Sequence, residues 1–396
     1  MDSLPPVLKR HWPLLAAALL LGVYGWALFL ATASGHDGAI GPAFNAPGAD
    51  WVIFMAAGRA AFTPDIAHIY DQLRITNATN SQFAHWLSAP LPFPLFPYPP
   101  VYLLLVAPFA HLPVFWSLLL SQLLSFAALA WALRRYAPDK SWLFFLLGAF
   151  LAPAASNNVL AGTNAVLVAA LVVGGYALMD RRPWAAGALW GVMIFKPQYF
   201  PLLVLAVVAA RQWRMFGGGL AAGLAMVAAS ILLFGLQPWL DWMNVYLQPQ
   251  RAAAVNATEW GHMWDNSIST CLNLLGAPHG AGLAAQGAAM LAAAVAVWRA
   301  FAGGHPARLP ILLCALLLAS PHVSNYDMIL LAIAALIHVR TLPGEARPLA
   351  LILPLAAWLA PLYNPPRVNP LGFATPLVLL AMLAVLLLTR PSARRD

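Results

Sequence analysis

Apolar runs recur along most of the chain, separated by short polar punctuation. They fall at about 13–33, 113–133, 142–157, 161–180, 184–195, 198–211, 215–236, 281–300, 309–320, 323–339, 347–362 and 370–389. A straight membrane-spanning helix needs roughly 20 predominantly apolar residues, and several of these runs are shorter. Those around Lys196-Pro197 and Ser320-Pro321 read as broken or re-entrant helices. Such breaks are tolerated where the freed backbone lines protein or a water-filled cavity. The pattern predicts an all-α integral membrane bundle of about 11–12 transmembrane helices, forming one polytopic domain over residues 1–396.

Basic residues orient the bundle. With both termini in the cytoplasm, 16 of the 21 Lys and Arg fall inside, leaving Arg59, Arg74, Lys196, Arg251 and Arg367 outside. This is the asymmetry of the positive-inside rule. The apolar stretch from Tyr98 to Leu112 would invert it if counted as a span. Its Pro99-Pro100 pair and short length suit a helix on the outer membrane surface instead. The first outer loop is therefore expected over 34–112 and a second over 237–280. At the N-terminus, Ala31-Thr32-Ala33 resembles a cleavage site. The preceding apolar core is longer than a signal peptide's, so an uncleaved first span is expected.

Composition removes the soluble alternatives. The 396 residues are 62% hydrophobic and 9% charged, with a mean hydropathy of +0.74, whereas soluble domains carry about 25% charged residues. The net charge of +8 sits in short loops, so it reports topology and no nucleic-acid partner. Cys271 and Cys314 show no metal-ligand spacing.

The remaining polar residues crowd the outer side. Eight of 13 acidic residues lie there, including Asp37, Asp50, Asp65, Asp71, Asp265 and Asp327, joined by Asn157-Asn158, Asn164, Asn266, His322 and Asn325-Tyr326. A one-sided polar face suits a site at the outer surface and does not suit a pore. Lys196, in Phe195-Lys196-Pro197-Gln198, stands between apolar runs. A lysine at membrane depth costs about 2.5–3.5 kcal/mol on insertion scales, which marks it for function or for snorkelling; as a point charge it would suit a phosphate. Asp50 precedes Trp51-Val52-Ile53-Phe54 and reads either as a helix cap or as a catalytic carboxylate. Asp37, in His36-Asp37-Gly38, reads as a solvated turn or as the next acidic candidate. His322 is either structural or a site member. Asp327 either joins it or pairs with an outer cation such as Arg59 or Arg367.

Taken in order, the motifs resemble glycosyltransferase family 87, whose members use polyprenol-phosphate sugars on a GT-C membrane fold. The pieces are Asp50 with Ala57-Gly58-Arg59, Ile69-Tyr70-Asp71, Tyr98-Pro99-Pro100 with Ala107-Pro108-Phe109-Ala110, Gly162-Thr163-Asn164, Ala186-Gly187, Phe195-Lys196-Pro197-Gln198 and Ser320-Pro321 with Tyr326-Asp327. They cover roughly residues 45–340. The chain departs from the family's Gly-Gln-Asn type turn at Ala161-Gly162-Thr163-Asn164, and from its Trp and His after Ser-Pro at His322-Val323-Ser324-Asn325.

The resemblance implies a multi-pass plasma-membrane enzyme that moves a hexose, mannose by family weight, from a polyprenyl phosphate. Transfer would run with inversion to a hydroxyl of a glycolipid or glycan at the outer face, among membrane lipid. It implies Asp50 as base, with Lys196, Arg59 and His322 at the donor phosphate. Tyr98, Asn164, Gln198, Asn266, Tyr326, Asp327 and Asp37 are sugar- or acceptor-binding candidates. No cofactor or divalent metal is indicated. A secondary transporter and a non-catalytic lipid-binding protein remain open as alternatives on the residues alone.

Overall fold

The structure is a computed structural model and describes residues 4–33, 47–91, 96–246, 265–363 and 370–389. Among them it contains helices and no strand. The chain begins with α1 (Pro6–Arg10) and α2 (Trp12–Ala33). It continues with α3 (Ala49–Ala60), α4 (Gln72–Gln82) and a composite run in which α5 (Leu103–Val106) lies between 3-10 turns. The central part comprises α6 (Val114–Tyr136), α7 (Ser141–Leu151), α8 (Pro153–Ala161), α9 (Ala165–Leu178), α10 (Pro183–Val192), α11 (Phe200–Ala209) and α12 (Trp213–Phe234). After α13 (Gln237–Tyr246) and α14 (Ile268–Leu274) come α15 (His279–Ala302), α16 (Arg308–Ala319), α17 (Ile329–Thr341), α18 (Leu349–Leu359) and α19 (Thr375–Leu388).

Three described helices, α6, α12 and α15, are long and apolar enough to cross a bilayer unaided. α2 matches α12 in length, and the other apolar segments are shorter. The run expected as one span at 142–157 is instead α7 and α8, bent by 58°. Pro153 supplies the reason. It sits at the first position of α8, where its missing N–H costs least and where the preceding residue is pushed out of helical geometry. The breaks expected at Lys196-Pro197 and Ser320-Pro321 are present. Short 3-10 turns flank Lys196, and Ser320 ends α16 in extended geometry.

α9, α16 and α17 form the centre, buried on nearly every side. A helix apolar all round has no solvated face and belongs in an interior. Outer helices keep apolar residues exposed, such as Leu124 on α6 and Leu232 on α12; these form a skin that only lipid can cover. α10 and α12 meet through glycines. A methyl at Gly187 would overlap the Met215 carbonyl, and one at Gly191 would overlap that of Gly219. Spaced four apart, Gly187 and Gly191 let the backbones touch, the small-residue contact that replaces hydrophobic driving force in lipid. Cys271 and Cys314 are free thiols.

Candidate active site

The polar residues meet where α3, the turn between α8 and α9, the break before α11 and the connection between α16 and α17 converge. α3 starts at Gly48, which is left-handed at φ 74° and donates its N–H to the Leu160 carbonyl at 2.6 Å. Facing it, Gly162 ends α8 at φ 75°. A methyl on Gly162 would lie 2.9 Å from the Gly48 Cα and 2.5 Å from the Trp51 Cβ. Two left-handed glycines thus lock the start of α3 against the α8–α9 turn, in a conformation that side chains resist.

Asn158, fully buried, braces that turn. Its Nδ2 donates to Gln122 Oε1 at 2.6 Å, and its Oδ1 accepts from Thr163 Oγ1 and the Ala165 N–H, both at 2.9 Å. The Gln122 amide donates in turn to the Thr163 carbonyl. A closed buried network of this kind fixes one arrangement.

Asp50 occupies the first turn of α3, where the helix dipole favours an anion. Among the described residues its carboxylate makes no hydrogen bond or ion pair. Burial pushes its carboxyl up to about 6, with nearby His322 pulling the other way. Tyr98, Tyr102 and Tyr326 lie within its electrostatic reach. Tyr98 and Tyr102 meet at 4.2 Å between ring centroids with a tilt of 39°, and pack on Phe54 and Phe195. The buried Asn164 amide sits beside both hydroxyls.

Two acid–cation pairs flank Asp50. Lys196 is buried, and its Nζ lies 2.9 Å from Asp327 Oδ1. Asp327 Oδ2 also accepts the Ser324 N–H, closing a capping box before α17. The second pair joins His322 Nδ1 to Asp265 Oδ2 at 3.6 Å. The Asp265 carboxylate also accepts from Thr270 Oγ1 at 2.7 Å, Ser267 Oγ at 3.0 Å, and the Ser267 and Val323 N–H groups at 2.9 Å. Burial alone would raise this carboxyl, but His322 and these donors hold it down at about 2. Burial opposes charge on His322 as well; the Asp265 carboxylate overcomes it and lifts the imidazole above its usual value. The His322 ring is half exposed, so it faces open space while anchored from behind.

The structure thus gathers Asp50, Lys196, His322, Tyr98, Asn164, Tyr326 and Asp327 in one region. Asn266 lies beside it with a bracing part, its Nδ2 donating to Asn325 Oδ1 at 3.0 Å. Gln198 is exposed in the turn after Lys196. Arg59 is corrected. It lies in the last turn of α3, donating to the Ala110 carbonyl at 2.8 Å and stacking on Phe83. Nine residues along a helix displace it roughly 13 Å from Asp50 and about half a turn around the axis. Arg59 therefore holds the connection before α6, away from the Asp50 cluster. Asp37 lies outside the described residues. Asp265 and Asn158, which the sequence places only in the outer polar face, and Tyr102, which it does not mark, also belong to the site.

The family model for glycosyltransferase family 87 matches residues 96–321, more than half of the chain. The chain belongs to glycosyltransferase family 87. No curated protein matches it, and no solved structure does. As a family 87 member with lipid-facing apolar helices, it is a membrane glycosyltransferase. The matched stretch contains Tyr98, Asn164, Lys196, Gln198, Asp265 and Asn266, and ends one residue before His322. Asp50 lies before it, so its case within family 87 rests on the geometry above.

Proposed function

We propose that the protein transfers a hexose, mannose by family weight, from a polyprenyl phosphate to an acceptor hydroxyl at the outer membrane face, with inversion and with Asp50 as base. The observation that carries this reading is the state of Asp50. It is the acid of the cluster that accepts no hydrogen bond among the described residues, and its carboxyl is raised to about 6. A base poised near the working pH is ionised yet still holds a proton usefully.

In the proposed step, the acceptor oxygen forms its bond to the anomeric carbon as Asp50 takes the hydroxyl proton. The bond from that carbon to the phosphate oxygen breaks, and the electron pair leaves with polyprenyl phosphate. His322, whose charged form the Asp265 carboxylate favours, is the group best suited to stabilise that charge. Lys196 contributes less, because Asp327 already balances it. Tyr98, Tyr326 and Asn164 are proposed to contact sugar hydroxyls. The place of the buried Asn164 amide beside the Tyr98 and Tyr102 hydroxyls supports this.

The test is turnover of polyprenyl-phosphate-mannose by the purified protein in detergent, wild type against Asp50→Asn. General-base help is worth roughly 10²–10⁴-fold, so the variant is expected to lose at least a hundredfold in kcat. Equal turnover would remove Asp50 as base. Inactivity of the wild type with a panel of polyprenyl-phosphate sugars would overturn the donor class.

A further inference from the structure

A second cavity lies away from the Asp50 cluster. It is an apolar groove of about 410 Å³ between α2, α7, α17 and α18, open along the side where Leu147 is exposed. Leu4 and Leu8 close one end, and Leu151 and Trp358 close the other. Phe144 and Leu151 line it from opposite ends of α7, which gives a length of roughly 10 Å at helical rise. The one polar tip at its floor is satisfied, because Trp358 Nε1 donates to the Gly148 carbonyl at 2.8 Å. The groove therefore offers no partner to a polar occupant, but it suits a hydrocarbon chain.

The mouth at the α1 end has a different character. Leu8 lines the groove, and Lys9 and Arg10 follow it in the last turn of α1. The His11 ring lies 3.0 Å from the Ala346 carbonyl, which sets Arg10 and Arg347 one residue either side of a single contact. All three cations are exposed, and among the described residues none makes an ion pair. Exposed Glu345 offsets one charge and leaves the rim net positive. Topology alone explains basic residues at this end of the bundle, but not their attachment to a groove. Leu8 and Arg10 share one helical turn, and Arg347 precedes lining residue Leu351 by one turn.

We infer that this groove is a binding site for one anionic phospholipid, with an acyl chain between α2, α7 and α18 and the phosphate held by Lys9, Arg10 and Arg347. The chain fills a slot that no side chain occupies, and the headgroup supplies the countercharge that the rim lacks. The site ties α1 to the ends of α7 and α18, at the far end of the bundle from the residues that α3 carries.

Native mass spectrometry of the full chain in detergent tests this, with phosphatidylglycerol and phosphatidylcholine of identical acyl chains supplied in equal amounts. The wild type is expected to retain one phosphatidylglycerol in preference to phosphatidylcholine. Each cation near a headgroup is worth about fivefold, so Lys9→Glu with Arg10→Glu is expected to reduce that preference roughly tenfold or more. Ala18→Trp, which fills the groove, is expected to release both lipids. Equal retention of the two lipids by the wild type would overturn the proposal, as would a preference that survives the double charge reversal. The double variant alters only exposed side chains, so its result stands even if Ala18→Trp fails to fold.

Discussion

Lys196 and Asp327 are 131 residues apart in sequence and 2.9 Å apart in the fold, both buried. Asp327→Asn keeps the shape and an oxygen to accept the Ser324 N–H, so the loss is chiefly the countercharge. The Lys196 ammonium is then stranded with 3% of its surface exposed. Removing one partner of a buried pair costs about 3–5 kcal/mol, a large share of a typical stability of about 5–15 kcal/mol. A fall in Tm of roughly 4–6 °C follows for a chain of this length. Lys196→Met combined with Asp327→Asn removes both charges, and the desolvation cost of the pair goes with them, so most of the lost stability returns. Thermal unfolding in detergent, read by tryptophan fluorescence, measures this directly.

The same three proteins decide what the pair does. If it is a strut between the Lys196 break and the start of α17, the double variant regains turnover together with stability. If the ammonium also meets the donor phosphate, the double variant is stable and impaired. The reasoning about burial fails outright if Asp327→Asn unfolds at the wild-type temperature, because an uncompensated buried charge would then have cost nothing.

Other outcomes follow from the same geometry. Asp50, raised to about 6 against 3.8 in the unfolded chain, gives stability that is fully present below about 4 and lost as pH rises through 6, by up to about 3 kcal/mol. Asp50→Asn is therefore expected to have a higher Tm than wild type at pH 8 and a similar one at pH 4; identical pH profiles would count against a desolvated carboxyl. Asp265, held at about 2, stabilises the fold above about pH 4 and loses that contribution as pH falls toward 2. Asp265→Asn should cost roughly 2 kcal/mol at pH 7. It should also move the alkaline limb of the pH–rate profile to lower pH by releasing His322, and an unmoved limb would argue that His322 acts without Asp265. Gly162→Ala forces a methyl onto Trp51 and Gly48 at a left-handed φ. It should cost about 2–4 kcal/mol and depress kcat by shifting Asp50, and wild-type Tm and kcat would refute the clamp.

Much of the framework was legible because it depends on local signals. Apolar runs located the helices, and proline located the breaks at Lys196-Pro197 and Ser320-Pro321. Proline also broke the run at 142–157, yet its hydropathy read as one span. A sum of side-chain hydrophobicities registers oiliness and is blind to a missing N–H at Pro153. The partner of Asp327 could not be chosen from sequence, since Lys196, Arg59 and Arg367 were all cations within the outer set. Helical periodicity puts Arg59, nine positions beyond Asp50, on the opposite face of α3, which agrees with its place against Ala110 and Phe83.

Asp265 was concealed for a deeper reason, and it shows how the site is organised. A carboxylate is recognisable as functional when its environment is abnormal, and the abnormality of Asp265 is made by residues 322 and 323, far along the chain. The same is true of Lys196 with Asp327. Each cation is neutralised from behind by an acid, so the cluster carries little net charge apart from Asp50. That balance matters for the proposed chemistry. An anionic lipid phosphate would be repelled by three free carboxylates. Here Asp265 and Asp327 spend their charge on His322 and Lys196, and burial protonates Asp50 more readily than an exposed acid. The half-exposed imidazole of His322 is then the basic group most open to an incoming phosphate, while Asp50 keeps its lone pairs for a proton.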